Sequence, residues 1–209
     1  MAMATETTPY KKTDKTITYL NKQYGRMFRK AASFDALNII DISHEIYEEA
    51  YQLAEQEAIR LVESVYGSYR RKPETEESEV TFDPVSFVLA LVLAYNPVTK
   101  YVFQNEIDRK RARFAESMLA SSTPAEEIAL AKRLLAATNA QFMDDVTFDT
   151  LVQAYRDNGA EMVRWVTAVD DRRCKKCAAL HGKIFPVDKI PPKPHIHCRC
   201  WVKEVRDLA

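Results

Sequence analysis

The sequence predicts a mainly α protein, a long-helix body followed by a small C-terminal β-rich zinc-knuckle module (α+β overall). Glycine is scarce, with 4 in 209 residues, which disfavours a fold built on many tight turns. Before residue 159, apolar residues recur mostly at helical spacing; after it, β-branched and aromatic residues form short runs. We divide the chain into a basic N-terminal arm (1–34), a helical body (35–158) and a β-rich Cys/His module (159–209).

The arm is predicted to be partly extended, because residues 1–16 are rich in Thr and Lys and lack apolar periodicity. From Ile17 to about Phe34 the pattern becomes weakly helical. Its bases are Lys11, Lys12, Lys15, Lys22, Arg26, Arg29 and Lys30, against the two acids Glu6 and Asp14. The net charge of the whole chain is zero, so only this local excess suggests a phosphate or acidic partner, and a solvated face is the simpler interpretation.

Capping residues and prolines predict the helices of the body. A long helix capped by Asp41 or Ser43 should run to about Tyr69, followed by an exposed linker around Pro73. Further helices are predicted over 84–95, 97–120, 124–142 and 147–158, each of the first three starting with proline and the last ending at Gly159. The helix over 84–95 is apolar all round, which predicts full burial; its apolar run is far shorter than the roughly 20 residues that span a bilayer.

The module is predicted to contain three strands, over 162–169, 183–187 and 200–205. Its loop Pro191-Pro192-Lys193-Pro194 cannot be helical or form a central strand. No apolar leader of a signal peptide precedes these elements, so we expect synthesis in a reducing compartment.

The cysteines and histidines of the module predict a metal site. All four cysteines and three of the four histidines lie between Cys174 and Cys200. Cys174-x-x-Cys177 has the spacing of a zinc knuckle, in which two thiolates converge on one ion. The second half, which includes His195, Cys198 and Cys200, offers more groups than a tetrahedron needs. A metal could close the loop between the two halves, which suits a module with little core of its own.

Several alternatives stay open at this site. The cysteines could form two disulfides or serve as small apolar residues, although a reducing compartment favours metal. The fourth ligand is a choice between His195, His197 and Cys200, because a Cys-x-Cys pair rarely supplies both thiols to a site that already holds Cys-x-x-Cys. His181 precedes a turn and is predicted to be a surface residue. We assign no catalytic residue: a closed four-ligand zinc is structural, and neither a catalytic zinc motif nor a nucleophile motif occurs.

The module resembles the C-terminal part of the Mu F-like minor head proteins of tailed bacteriophages, also called head morphogenesis proteins. The shared pieces, in order, are Val163-Arg164-Trp165-Val166, Asp170-Asp171, Cys174-x-x-Cys177, Leu180-x-Gly182-Lys183-x-Phe185, the proline-rich loop and His195-x-x-Cys198-Arg199-Cys200. The resemblance covers about residues 159–203, and the combination is specific although each piece alone is weak.

The resemblance implies a structural virion protein rather than an enzyme. Family members lie in the phage head near the portal vertex in few copies, associate with the portal and other head proteins, and contribute to head assembly, genome packaging or DNA ejection. It also implies synthesis in the host cytoplasm, no membrane partner, and a basic arm suited to an acidic portal surface or packaged DNA. The alternative function is a zinc-knuckle nuclease or DNA-binding module, with His195 or His197 as the base; no distinctive second catalytic group supports it.

Overall fold

The computed structural model describes residues 8–31, 39–71, 82–94, 124–167, 174–195 and 198–206. Its helices are α1 (Tyr10–Ala31), α2 (Ile39–Tyr69), α3 (Pro84–Ala94), α4 (Pro124–Asp157) and α5 (Lys175–Leu180). Its strands are β1 (Met162–Val166), β2 (Ile184–Pro186) and β3 (Trp201–Glu204). The predicted mainly helical chain with a small β-rich C-terminal part is therefore confirmed. The predicted linker around Pro73 and the predicted helix over 97–120 lie outside the described residues.

The N-terminal arm begins its helix earlier than predicted. Residues 1–16 were expected to be extended, but α1 starts at Tyr10, where the backbone N–H bonds to the Thr8 hydroxyl at 3.2 Å. The reason is a buried face that includes polar residues: Thr13 is fully buried and shares a 2.7 Å hydrogen bond with Thr147. The buried aromatic and apolar side chains of this face are Tyr10, Leu20, Tyr24 and Phe28.

One long helix replaces the two that were predicted over 124–142 and 147–158. The helix α4 continues through Thr147 and Thr150, whose hydroxyls donate to the carbonyls four residues earlier at 2.8 and 2.7 Å. These bonds satisfy both hydroxyls inside the helix. Its end was predicted correctly: Gly159 has φ 74°, and the N–H groups of residues 159 and 160 bond back to Arg156 and Tyr155.

The helix α3 starts at Pro84 as predicted, but the prediction of full burial is wrong. Val88 is 0% exposed, whereas Val85 is 47% and Leu89 is 42% exposed. Apolar residues on every side of this segment therefore do not mean that every side is buried. Among the described helices, none is long and apolar enough to cross a membrane.

The three strands form an antiparallel sheet in the order β2-β1-β3. In the register of the central strand, Val163 faces Phe185 on β2 and Trp165 faces Val202 on β3. Val163, Trp165 and Val202 are all fully buried, whereas the intervening Arg164 is exposed. This alternation gives the sheet one core face and one solvated face.

The chain falls into two compact units. The first takes in Met1–Asp14, Arg60–Asp83 and Gln141–Ala209, and the second takes in Lys15–Ile59 and Pro84–Ala140. In the first unit, Phe148, Leu151 and Tyr155 of α4 join the sheet residues in one core. In the second, Tyr24 accepts a 2.5 Å hydrogen bond from the buried amide of Asn139. The division at residues 34 and 158 stays a prediction.

Candidate metal centre

The helix α5 brings the first two cysteines together. Cys174 precedes it with an extended backbone, φ −72° and ψ 159°, and occupies the N-cap position. Its sulfur accepts the backbone N–H of Cys177 at 3.3 Å, as an N-cap side chain does. The Cys-x-x-Cys spacing therefore folds as a cap and first helical turn, which places both sulfurs on the same side.

The proline-rich loop and the segment before β3 supply the other donors. The Cys177 sulfur lies 3.2 Å from His195 Nε2 and 3.7 Å from the Cys198 sulfur. Among the described residues, the donor atoms form two triads, each with all atoms within 4.8 Å of one another. One triad is Cys174, Cys177 and His195, and the other is Cys177, Cys198 and Cys200. Cys177 belongs to both, so all five predicted candidates gather around it.

The donor set fits a zinc ion. With Zn–S bonds of about 2.3 Å, two sulfurs on a tetrahedral ion are about 3.8 Å apart, close to the 3.7 Å between Cys177 and Cys198. All four cysteines are free thiols, so their sulfurs are available as ligands. Thiolates and imidazole are the donors that zinc takes in structural sites. The cluster can therefore hold such an ion in the core of the first unit.

Hydrogen bonds divide the four thiols into two kinds. The backbone N–H of Cys177 lowers the pKa of Cys174, and the Cys200 thiol is the main group that lowers the pKa of Cys198, to about 5. Burial raises the pKa of Cys177 to about 12, and the hydrogen bond to Cys198 together with burial raises the pKa of Cys200. Metal binding would release the protons held by the sulfurs whose pKa is raised, because zinc binds cysteine as the thiolate.

The start of α1 is tied to the backbone of the cysteine segment. The Tyr10 hydroxyl donates to the Cys200 carbonyl at 2.8 Å, although the two residues are far apart in sequence. Arg199, which lies between Cys198 and Cys200 in the chain, is 5.0 Å from the Tyr10 ring centre. It also pairs with both carboxylate oxygens of Asp14 at 3.0 Å. No sequence motif predicts these contacts, because they join residues that carry no local pattern.

Lys193 holds the proline-rich loop against α4. Its side chain is only 10% exposed, and its Nζ donates to the Asp144 carbonyl at 2.9 Å and to the Asp145 carboxylate at 3.1 Å. The same ammonium group lies over the rings of Tyr10 and Phe148, 5.7 and 5.2 Å from their centres. The loop that carries His195 is therefore fixed by Lys193, a role that its place in a proline-rich run does not indicate.

The module has two other histidines, His181 and His197. His181 is exposed, and its Nδ1 bonds to the backbone and hydroxyl of Thr167 at 3.2 and 3.1 Å. This agrees with its interpretation as a surface residue. His197, one of the candidates for the fourth ligand, lies outside the described residues.

Residues 105–203 match a family model described as Phage Mu protein F like protein. This region begins well before residue 159, where the β-rich module starts. It includes the whole of α4, the sheet except the last residue of β3, and the five metal-ligand candidates. Comparison with curated proteins and with solved structures gave no match. The match covers a little under half of the chain, and it confirms the resemblance of this region to the Mu F-like phage proteins.

Proposed function

We propose that this chain is a non-enzymatic minor head protein that associates with the portal and takes part in head morphogenesis, genome packaging or DNA ejection. The observation that supports it is the family match over residues 105–203, since the Mu F-like family is one of structural phage proteins. The match also fits a component of the virion.

The Cys/His cluster has a structural role in this proposal. Cys177, Cys198 and Cys200 are at most 4% exposed and pack with Trp165 in the core of the first unit. A zinc ion closed off by four protein ligands has no open position for water and stabilises a small domain. We therefore propose a structural Zn²⁺ that makes this unit a rigid part of the assembly.

The exposed face of α1 is the proposed contact with packaged DNA. Within the second unit, Lys15, Lys22, Arg26 and Arg29 are exposed at helical spacing, and Tyr19 between them is 41% exposed. Residues at these intervals share one side of a helix. Bases on one side can pair with successive phosphates and release their counterions. Such binding weakens as the salt concentration rises, because the free energy gained by releasing those counterions falls.

Assembly is tested by producing the chain together with the portal protein of its own phage. We expect co-sedimentation with portal rings and, in virions or procapsids, ordered density for a few copies at the portal vertex. Chain spread evenly over the head shell, or absent from purified heads, would contradict the proposal.

The DNA contact is tested by fluorescence anisotropy with a duplex at rising salt. Reversing two charges in Lys22→Glu/Arg26→Glu should weaken binding at low salt at least tenfold and flatten the salt dependence. The matched control, Lys183→Glu/Lys189→Glu, changes the net charge equally at two exposed positions of the first unit and should keep most of the affinity. Equal losses in both variants would show a non-specific charge effect and count against this face.

A further inference from the structure

The side of the sheet that faces away from the core carries a row of two bases and one apolar residue. Arg164 on β1 lies directly opposite Ile184 on β2 and Lys203 on β3. Side chains at directly opposite positions of neighbouring strands lie on the same side of a sheet. All three residues are exposed, and the apolar Ile184 is 37% exposed. The row therefore crosses the whole width of the sheet on its solvated side.

Apolar side chains flank this row. Met162 and Val166 lie two residues before and after Arg164 on β1, so they share its side of the sheet. Both are half-buried. Trp201 lies directly opposite Val166; part of it packs against the core, and the rest is accessible. We call this side the outer face, and its residues are Met162, Arg164, Val166, Ile184, Trp201 and Lys203. Met, Trp and Arg are residue types that are enriched at protein interfaces.

The outer face is positively charged. Like charges at directly opposite positions of a sheet repel each other, so Arg164 and Lys203 together favour an anion placed over them. The only acid within the three described strands is Glu204. It lies opposite Val163, on the core side, and its carboxylate pairs with two arginines of the same unit, Arg71 and Arg206. The described strands therefore give the outer face two cations and no carboxylate.

The charge and the apolar residues together select the kind of occupant. A second copy of the chain is disfavoured, because two outer faces related by a twofold axis would set bases against bases. A nucleic-acid backbone would match the bases, but its phosphates would cover Met162, Val166 and Ile184 without giving them apolar contacts. A protein segment that carries both carboxylates and apolar side chains satisfies the whole face.

We propose that the outer face binds an acidic segment of the portal protein, with carboxylates over Arg164 and Lys203 and apolar side chains against Met162, Ile184 and Trp201. The inference rests on the proposed function and names the surface that this function would use. A guanidinium group can bind a carboxylate through two parallel hydrogen bonds. Arg164, on the central strand with side chains around it, is therefore the expected anchor of the interface.

The substitution Arg164→Glu separates binding from folding. The new carboxylate would lie opposite Lys203, so the sheet should keep or raise its thermal midpoint while it loses its attraction for an acidic segment. We expect the affinity of the full chain for portal rings of its own phage, measured by biolayer interferometry, to fall at least about tenfold. Lys189→Glu makes the same change of charge at an exposed position outside the strands and should lower the affinity less than about twofold.

The apolar part of the face is tested by Ile184→Ser. It should lower the affinity about threefold to tenfold and leave the salt dependence of binding unchanged, whereas Arg164→Glu should flatten that dependence. Leu89→Ser, at a similarly exposed position of the second unit, is the control and should leave the affinity unchanged.

The outcomes distinguish the inference from the proposed function. If the wild-type chain binds portal rings and Arg164→Glu binds them equally well, the inference is overturned and the portal association stands. Equal losses in Arg164→Glu and Lys189→Glu would also overturn it, as a general effect of charge. If the wild-type chain does not bind the rings, the portal association fails and the inference fails with it. If Arg164→Glu loses affinity for DNA but not for the rings, the outer face is a nucleic-acid surface, which again overturns the inference.

Discussion

At the scale of single residues, Asp149 is a carboxylate held by α4 at an energetic cost. Burial raises its pKa from 3.8 to about 6. Between these two values the folded chain holds a proton that the unfolded chain has already released. The free energy of unfolding therefore contains a contribution from Asp149 that falls as the pH rises from about 4 to about 6.

The substitution Asp149→Asn should remove this pH dependence. The amide resembles the protonated acid, so the variant should match the wild type near pH 4 and be more stable at pH 7.5, by on the order of 2 kcal/mol. Urea denaturation at both pH values measures the difference. Asp144→Asn should act in the same direction, because burial also raises the pKa of Asp144 to about 6. A variant that is less stable at pH 7.5 than at pH 4, relative to the wild type, would contradict this account.

At the scale of elements, the first turn of α1 depends on its contacts with the cysteine segment. Tyr10 is 1% exposed, and its hydroxyl is the donor to the Cys200 carbonyl. Tyr10→Phe leaves that carbonyl without this partner, so we expect a loss of about 1–3 kcal/mol in unfolding free energy. Hydrogen exchange should rise most in residues 10–14. Tyr19→Phe, at an exposed position on the same helix, is the control and should leave both measurements unchanged.

The end of α4 makes a second prediction at this scale. Gly159 has φ 74° and open space around it, so an added Cβ meets no neighbour and only the backbone is strained. Gly159→Ala should therefore cost about 1–2 kcal/mol. Gly67→Ala provides the contrast within the helix α2, where space is equally open and φ is not positive; it should stabilise the chain by about 0.5–1 kcal/mol. Thermal unfolding of both variants checks the opposite signs, and shifts of equal sign would refute the argument.

Local patterns predicted those elements whose signals lie within a few residues. The starts of α3 and α4 follow from Pro84 and Pro124, and the turn at Gly159 follows from its freedom at positive φ. Local patterns did not predict the burial of Tyr10 and Thr13. A residue with a hydroxyl group is expected at the surface unless a buried hydrogen-bond partner is known, and both partners here are distant in sequence. The cysteine spacing predicted the cluster, whereas the contacts of Tyr10 with the Cys200 carbonyl and of Lys193 with α4 required the fold.

At the scale of the whole molecule, the candidate metal site and the core of the first unit share the same residues. Cys177, Cys198 and Cys200 pack in one cluster with Leu151 of α4 and Val202 of β3. A metal ion there would link segments distant in sequence, so its binding free energy becomes folding free energy of that unit. The second unit has a core of its own that includes Tyr24, Ala50 and Ala54.

Removal of the metal by a chelator under reducing conditions should therefore act unevenly along the chain. Amide exchange should increase at least about tenfold in β1, β3 and α5, because their opening no longer requires metal release. The same should happen in the last turns of α4, which share that core, whereas amides around Tyr24 and Ala54 should keep their protection. Cys177→Ser should reproduce the pattern without a chelator, since Cys177 belongs to both donor triads. Hydrogen exchange with mass spectrometry measures both cases, and proven metal loss without faster exchange in β1 would show that the ion does not support the fold.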